Sequence, residues 1–550
     1  MEDAPVSRTD TNPGQQSAEE RREPTGVPGL DVILSGGIAR GSLALIMGVP
    51  GSGKTTLASQ IAFNAAKEGK RVLILTALSE STNKLLAHLR SFSFFASDLI
   101  GQYVHLFSLQ GALSGGLKAT GKEIMAEARR IGAEVILIDG FRGMRSVDVD
   151  PAAARELLYT LGTTLGVLGV TTLITSETDP NDPSFYPETT TADIILGLHY
   201  QLAGVRQYRG IEVVKARGAA PLPGLHALTL GADGAAVYPQ LEERVQGDSL
   251  SADRTSQDTV GSAARPLGAV SPLERAAFDL PELDTMLQGG LPRTSCTLLT
   301  GSLGTGKTCL ALQWTAAGLR AGEPVVFLGM REDRERVRLA AAPFTIGAEL
   351  ERELNTDGGN LTFLEVAPIK INADILADRV LAELDRTCAS RLVVDSIAEL
   401  ERAILRGLDP NRLEDFLAAF LRALQQRRVT ALLLKESDKT LGPTLDFSVD
   451  ALSVLAENVL LLQQVPYRGA LHRILSIPKL RLSAHDTTLR EFRIAAPDGF
   501  EVLEPFASDA GVLAGITEDQ EQAQRHASGQ SGQPGRRGTR ADDRGESERQ

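Results

Sequence analysis

The chain predicts an α/β fold built twice: two tandem domains, each a mostly parallel central sheet flanked by helices, between disordered ends. Short continuous runs of Leu, Ile, Val and Thr alternate with helical stretches, the pattern of strands buried on both faces. The pattern occurs twice, at an offset of 253 residues, which sets LDVILSGGI (30–38) above LDTMLQGGL (283–291) and GVPGSGKTT (48–56) above GSLGTGKTC (301–309) without a gap. The length of 550 residues also exceeds one ordinary domain of roughly 100–200 residues.

The elements follow in order. SLALIM (Ser42–Met47) reads as a strand entering a glycine-rich loop, and TTLASQIAFNAAKEG follows with Leu57, Ile61 and Ala65 at helical spacing. RVLILT (71–76), EVILID (134–139) and TTLITS (171–176) are the next buried strands, and the second copy repeats them as TLLT, PVVFLG, RLVVD and TALLLK. This is duplication of a whole domain rather than a short-period solenoid. Residues 1–22 and 507–550 read as disordered tails; from Thr517 to Gln550 there is no Leu, Ile, Val, Met, Phe, Tyr or Trp to offset the ordering entropy. The polar stretch 241–271 reads as a linker, leaving bodies at 23–240 and 272–506.

Composition narrows the function. The chain is 42% hydrophobic and 23% charged, with 57 Lys plus Arg against 70 Asp plus Glu, a formal charge of −13. That balance gives no general attraction to nucleic acid or anionic membranes. No apolar run reaches the roughly 18 residues of a membrane span, and the first twenty residues hold no stretch suited to a signal peptide. Cys296, Cys309 and Cys388 have neither a disulfide framework nor metal spacing, so a reducing cytoplasm is expected. The seven His residues lack H-E-x-x-H spacing and suggest no zinc site.

The pattern G-x-x-x-x-G-K-[ST] lies between an apolar strand and a helix in both copies, the context a phosphate-binding loop requires. Backbone N–H groups must turn inward around phosphate oxygens, which Gly48, Gly51 and Gly53 allow, as do Gly301, Gly304 and Gly306. The helix N-terminus adds partial positive charge. Lys54 and Lys307 are placed to reach the β- and γ-phosphates of ATP, and the hydroxyls of Thr55 and Thr308 to ligate Mg²⁺. Ser52, Thr56, Thr305 and Cys309 complete the two loops; Ser52 has no partnered His and Asp order that would make it a hydrolase nucleophile. Asp139 and Asp395, each ending an apolar strand, are the candidate carboxylates for the metal's shell, the alternative being a helix N-cap. Glu80 and Glu332 are the candidates for activating water, or else first-turn helix acids.

These residues, with the upstream LD…GG and the late segments VVKARG (213–218) and IPKLRLSAHDTTLREF (477–492), resemble the KaiC-like branch of the RecA superfamily over about residues 23–506. The resemblance implies two RecA-like P-loop NTPase domains binding Mg·ATP, with ATPase activity. It implies a homo-oligomeric ring, most simply a hexamer with ATP between subunits, and regulatory protein partners it does not identify. It further implies that Lys215 with Arg217, and Lys479 with Arg481, reach the nucleotide of a neighbouring subunit; the plainer alternative is a salt-bridged strand edge. The family's two adjacent glutamates are reduced here to Ser79-Glu80, and to Glu332 between Arg331 and Asp333, so slow hydrolysis is expected. Clock-type members autophosphorylate a Ser-Thr pair; the matching stretch offers Ser453 followed by Val454, a single acceptor or a polar position on a strand or loop. Leu482 stands where a Gly is usual after the second K-x-R.

Two rivals stay open. A RecA-like DNA-acting ATPase would carry basic loops after the central strands, but 177–190 is acidic with no base and 436–450 is acidic with one Lys. Arg142, Arg145, Arg536, Arg537 and Arg540 are the counterweight. An ATP-assembled, non-enzymatic hub is the other rival, favoured by the missing glutamates.

Overall fold

The computed structural model describes residues 22–77, 82–141, 151–182, 186–203, 206–247, 274–356, 358–369, 371–407, 409–437, 451–467, 469–481 and 483–506. Contacts divide the chain into two compact units. One gathers the described part of Met1–Ala269 with Ala367–Cys388 and Glu399–Arg427; the other holds Val270–Val366, Ala389–Ala398 and the described part of Arg428–Gln550.

In the first unit a short pair, β1 (Arg22–Glu23) and β2 (Ile38–Ala39), precedes the main sheet. The sheet comprises β3 (Leu43–Gly48), β4 (Val72–Thr76), β5 (Val104–Ser108), β6 (Val135–Asp139), β7 (Thr171–Ser176), β8 (Ile194–Ala203), β9 (Arg206–Ala216), β10 (His226–Gly231) and β11 (Gly234–Tyr238). Its order is β11-β10-β9-β8-β3-β7-β6-β4-β5. The strands from β5 to β8 pair in parallel, while β8 to β11 form an antiparallel meander at one edge.

The apolar runs explain the parallel part. In β3, Ala44 and Ile46 face one core with Leu57, Phe63 and Ile74, while Leu43, Leu45 and Met47 face another with Ile124, Leu158 and Leu161. A strand buried on both sides reads as a continuous apolar run because successive side chains point to opposite faces. The helix Lys54–Lys67 covers the first face; Leu117–Ile131 and Pro151–Val167 cover the second. Leu117–Ile131 stops at Gly132, whose φ of 64° is the left-handed turn a glycine accepts most readily.

The second unit repeats the plan. β12 (Arg275–Ala276) pairs with β13 (Leu291–Pro292). The main sheet comprises β14 (Cys296–Gly301), β15 (Val325–Gly329), β16 (Leu361–Glu365), β17 (Arg391–Asp395), β18 (Thr430–Glu436), β19 (Asn458–Tyr467), β20 (Ala470–Leu480), β21 (Arg490–Ala495) and β22 (Gly499–Pro505). Its order, β16-β15-β17-β18-β14-β19-β20-β21-β22, matches the first sheet strand for strand. The helix Lys307–Arg320 buries Leu310 and Trp314 in the core that holds Leu299, Val325 and Phe327.

Some boundaries differ from the sequence reading. Residues 241–247, read as the start of the linker, are helical, with Leu241 and Val245 buried. Arg22, read as the end of a tail, is tied into the fold by hydrogen bonds to Leu34 O (2.8 Å) and Gly37 O (3.4 Å). The helices Ala373–Thr387 and Leu413–Gln426 belong by contact to the first unit, although their sequence lies in the second copy. Within that unit buried Asp374 accepts from Leu241 N (3.2 Å) and pairs with Arg412 (2.9 Å), which also pairs with Glu242. Packing, not repeat phase, sets the division. The proposed tails, most of the linker, Glu80 and the five arginines of the nucleic-acid reading lie outside the described residues. Among the described residues no helix is long and apolar enough to cross a membrane.

Candidate nucleotide-binding sites

Each P-loop strand, β3 or β14, continues to a strand on one side of it while both of its parallel neighbours continue toward the other, the switch point at which ligands bind in open α/β sheets. In the first copy Gly48 leaves β3 so close to β8 that a Cβ would lie 2.5 Å from Leu198 O. Gly53, at φ +107°, starts the helix Lys54–Lys67 in a conformation other residues rarely adopt. At Gly51 (φ +79°) a Cβ would stand in open space. The second loop matches: Gly301 lies against Leu462 O, Gly306 has φ +102°, and Gly304 (φ +72°) is open.

The polar groups converge at these loops. Lys54, almost fully buried, donates from Nζ to Val49 O at 3.0 Å, and Lys307 donates to Gly301 O and Ser302 O at 2.8 and 2.9 Å. Thr55 Oγ1 lies 3.1 and 3.2 Å from the Asp139 oxygens, and Thr308 Oγ1 donates to Asp395 Oδ2 at 2.8 Å. Thr175 Oγ1 donates to Asp139 Oδ1 at 2.6 Å and accepts from Gly140 N at 2.8 Å, fixing that carboxylate. Asp139 and Asp395 each end a buried strand. Ser52 Oγ is buried with no hydrogen-bond partner among the described residues, whereas Thr305 Oγ1 donates to Ser302 O at 2.9 Å. Thr56 and Cys309 lie in the first turn of their helices; burial pushes the Cys309 thiol up to about 11, so it stays protonated.

Burial pulls both lysines below the ordinary amine range, opposed for Lys54 by Glu177 and Asp139 and for Lys307 by Glu436 and Asp395. Burial raises the Asp395 carboxyl; the Thr308 hydrogen bond opposes this and Glu332 adds to it. In the sequence Glu177 and Glu436 read only as loop acids. Their signal is an acid at the end of TTLITSE and TALLLKE, beside the P-loop strand. The residues fit the chemistry of a magnesium nucleotide. An inward ammonium and open loop space suit phosphates, and the hydroxyl–carboxylate pairs are the hard oxygen donors a small divalent cation takes.

Glu332 precedes the helix Arg334–Ala341, whose N-cap is Asp333, accepting from Arg336 N at 2.7 Å. Asp333 is therefore the helix cap, and Glu332 is the acid whose charge acts on Asp395.

The K-x-R segments lie elsewhere. Lys215 on β9 pairs with Ile195, whose neighbour Ile194 lies beside Ala44, whereas the loop leaves β3 at Gly48 beside Leu198. Lys479 pairs with Val459 beside Leu298, whereas Gly301 is beside Leu462. At about 3.3 Å per residue each lysine is on the order of 10 Å along the strand from its own loop. Lys215 Nζ donates to Thr189 O and Thr190 O (3.5 and 3.4 Å), at the end of the helix Pro187–Thr191, and Arg217 pairs with Asp193 at 3.3 Å. Lys479 Nζ donates to Ser453 O, Val454 O and Ala456 O (3.2, 3.0 and 2.6 Å), and Arg481 N donates to Glu457 O at 3.2 Å. Ser453 lies in the helix Ala451–Leu455, not on a strand or loop.

Fold and loops together define a tandem P-loop ATPase. The family model described as "ATPase: KaiC" matches twice, over residues 23–242 and 279–506. The chain belongs to the KaiC ATPase family. It is 27% identical over 514 residues to the circadian clock oscillator protein KaiC of Thermostichus vulcanus, covering 91% of this chain and 92% of that protein. The KaiC of Picosynechococcus sp. is 27% identical over 503 residues, 89% of this chain and 91% of that one. KaiC 1 of Synechocystis sp. is 25% identical over 504 residues, again 89% and 91%.

Proposed function

We propose that each half holds one Mg·ATP in its P-loop, that the chain assembles in the cytoplasm into a hexameric ring through those nucleotides, and that hydrolysis is slow. Regulatory protein partners would read the state of the ring. Lys54 or Lys307 meets the phosphates, and Thr55 with Asp139, or Thr308 with Asp395, holds the metal and its water. The bound ion supplies charge neutralisation of the transferred phosphoryl group. Glu332 is the second site's candidate for orienting water, and Glu80 the first site's. Ser453 is the candidate acceptor for self-phosphorylation.

The observation that carries the ring is the strand register. Lys215 and Lys479 stand three residues along the strands from the level of their own loops, which favours a nucleotide held by another subunit as the one they touch. A cation supplied in trans is worth about 10³–10⁵ in rate in related phosphoryl transfers. Native mass spectrometry with and without Mg·ATP, followed by phosphate release from the same sample, tests the proposal. The expected result is nucleotide-dependent hexamers with two nucleotides per chain, one of them lost with Lys54→Ala and the other with Lys307→Ala. Arg217→Ala should slow turnover while leaving both nucleotides bound. A monomer at saturating Mg·ATP would refute the ring, and failure of calorimetry to detect magnesium-dependent ATP uptake would refute the whole reading.

A further inference from the structure

At the second site an arginine stands where the sequence of the first copy has a leucine. The 253-residue offset places Arg331 opposite Leu78, an uncharged residue. Arg331 lies two residues beyond β15, and it donates from Nη1 to both oxygens of Glu436, at 2.9 and 3.0 Å. Glu436 ends β18.

The sheet order gives this pair its meaning. β15 is followed by β17, β18 and then the P-loop strand β14. Gly329 on β15 is level with Asp395 on β17, and Glu436 on β18 is level with Gly301 on β14. Strands lie about 4.8 Å apart, so β15 and β18 are separated by about 10 Å with β17 between them. To reach Glu436, the Arg331 side chain must cross the tip of β17, where Asp395 accepts the Thr308 hydroxyl. The pair therefore spans the mouth of the phosphate and metal site. Lys307 lies at the same end of the strands, its Nζ donating at 2.8 Å to the carbonyl of Gly301, the residue level with Glu436. Arg331 and Glu436 are about one-third exposed, so the guanidinium can leave its partner without breaking a core.

We propose that Arg331 is a cis phosphate sensor of the second site, exchanging Glu436 for the terminal phosphate of a nucleoside triphosphate. This rests on the reading that the second P-loop binds Mg·ATP. A planar guanidinium matches phosphate oxygens as well as it matches a carboxylate, and a γ-phosphate carries more negative charge than one glutamate. The exchange places a cation between the phosphate and Glu436, two anions that would otherwise repel. A diphosphate lacks the γ-phosphate that draws Arg331 away, so the Arg331–Glu436 pair persists. The second site accordingly prefers triphosphate over diphosphate more strongly than the first, whose counterpart position is Leu78.

The test measures binding of fluorescent mant-ATP and mant-ADP, with magnesium, to the full chain carrying Lys54→Ala, so that only the second loop reports. Arg331→Gln should lower the ATP-over-ADP affinity ratio by about 10- to 100-fold, the scale of hydrogen bonds to a charged group. Glu436→Gln removes the competitor and should raise ATP affinity, and the double variant should keep ADP affinity while losing the preference. Fluorescence of Trp314, the chain's one tryptophan, checks that each variant is folded. If the Lys54→Ala chain binds neither nucleotide, the ATP reading fails and the sensor falls with it. If it binds both and Arg331→Gln leaves the ratio unchanged, the sensor alone is overturned.

Discussion

Replacing Glu323 with Ala should destabilise the second unit by about 3 kcal/mol, the lower end of the cost of stranding a buried charge. Its partner Arg391 opens β17, the strand that ends in Asp395, and is 2% exposed. Arg391 Nε donates to Glu323 Oε2 at 2.6 Å, and Nη1 donates to Ala277 O and Trp314 O at 3.1 and 2.9 Å. The guanidinium also lies over the Trp314 ring, 4.7 Å from its centre. Burial alone would raise the Glu323 carboxyl, but hydrogen bonds from Arg293 and Arg391 overcome it and hold the group below its ordinary value. With Glu323 gone, Arg391 keeps its two carbonyl bonds and the ring, which is why the lower end of the range applies. Trp314 is the only tryptophan and is fully buried beside the substituted pair, so its fluorescence reports unfolding of this unit. With a urea slope of about 3 kcal/mol per molar, the midpoint should fall by about 1 M. Glu323→Gln with Arg391→Met removes both charges and should recover most of the loss. A shift below about 0.3 M for Glu323→Ala, or a double variant less stable than the single, would refute this reasoning.

Two further outcomes follow from backbone geometry and burial. Gly306→Ala combines φ +102° with a Cβ 2.2 Å from Ile494 Cδ1, whereas Gly304→Ala meets only an unfavourable φ of +72° in open space. Gly306→Ala should therefore cost about 1–3 kcal/mol, and more than Gly304→Ala, in denaturation followed at Trp314. His226 is fully buried, accepting at Nδ1 from Gln240 N (3.0 Å) with Nε2 3.2 Å from Leu222 O. Burial holds its pKa below the ordinary value of about 6.5. The unfolded chain thus takes up this proton first, so the group's contribution is full above about pH 6.5 and falls on acidification, by at most about 1.4 kcal/mol per pH unit. His226→Gln should flatten the decline in melting temperature between pH 7.5 and 5.5; an unchanged slope would count against this account.

Much of the site was legible because it is local. A glycine loop, Lys54 and Thr55 lie within eight residues, and the strand–loop–helix context is written in the flanking apolar periodicity. Asp139 and Asp395 were legible at long range because a carboxylate ending an apolar strand is costly without a cation near it. Glu332 could not be separated from Asp333 until the cap geometry assigned Asp333 to the helix. Glu177 and Glu436 resembled solvated loop acids because nothing in a linear reading says that β7 and β18 lie directly beside the P-loop strands.

The duplication, the α/β class and the glycine loops can be read from the chain alone, since each depends on residues close together or on a period the chain repeats. Strand order, and with it which distant side chains share a site, emerges only in the folded molecule. Lys215 stands three residues along the strands from the level of its own loop, and Arg331 reaches past a neighbouring strand to meet Glu436. Strand order is fixed by how two buried faces are covered, a property of the whole packed core that no short stretch of residues encodes.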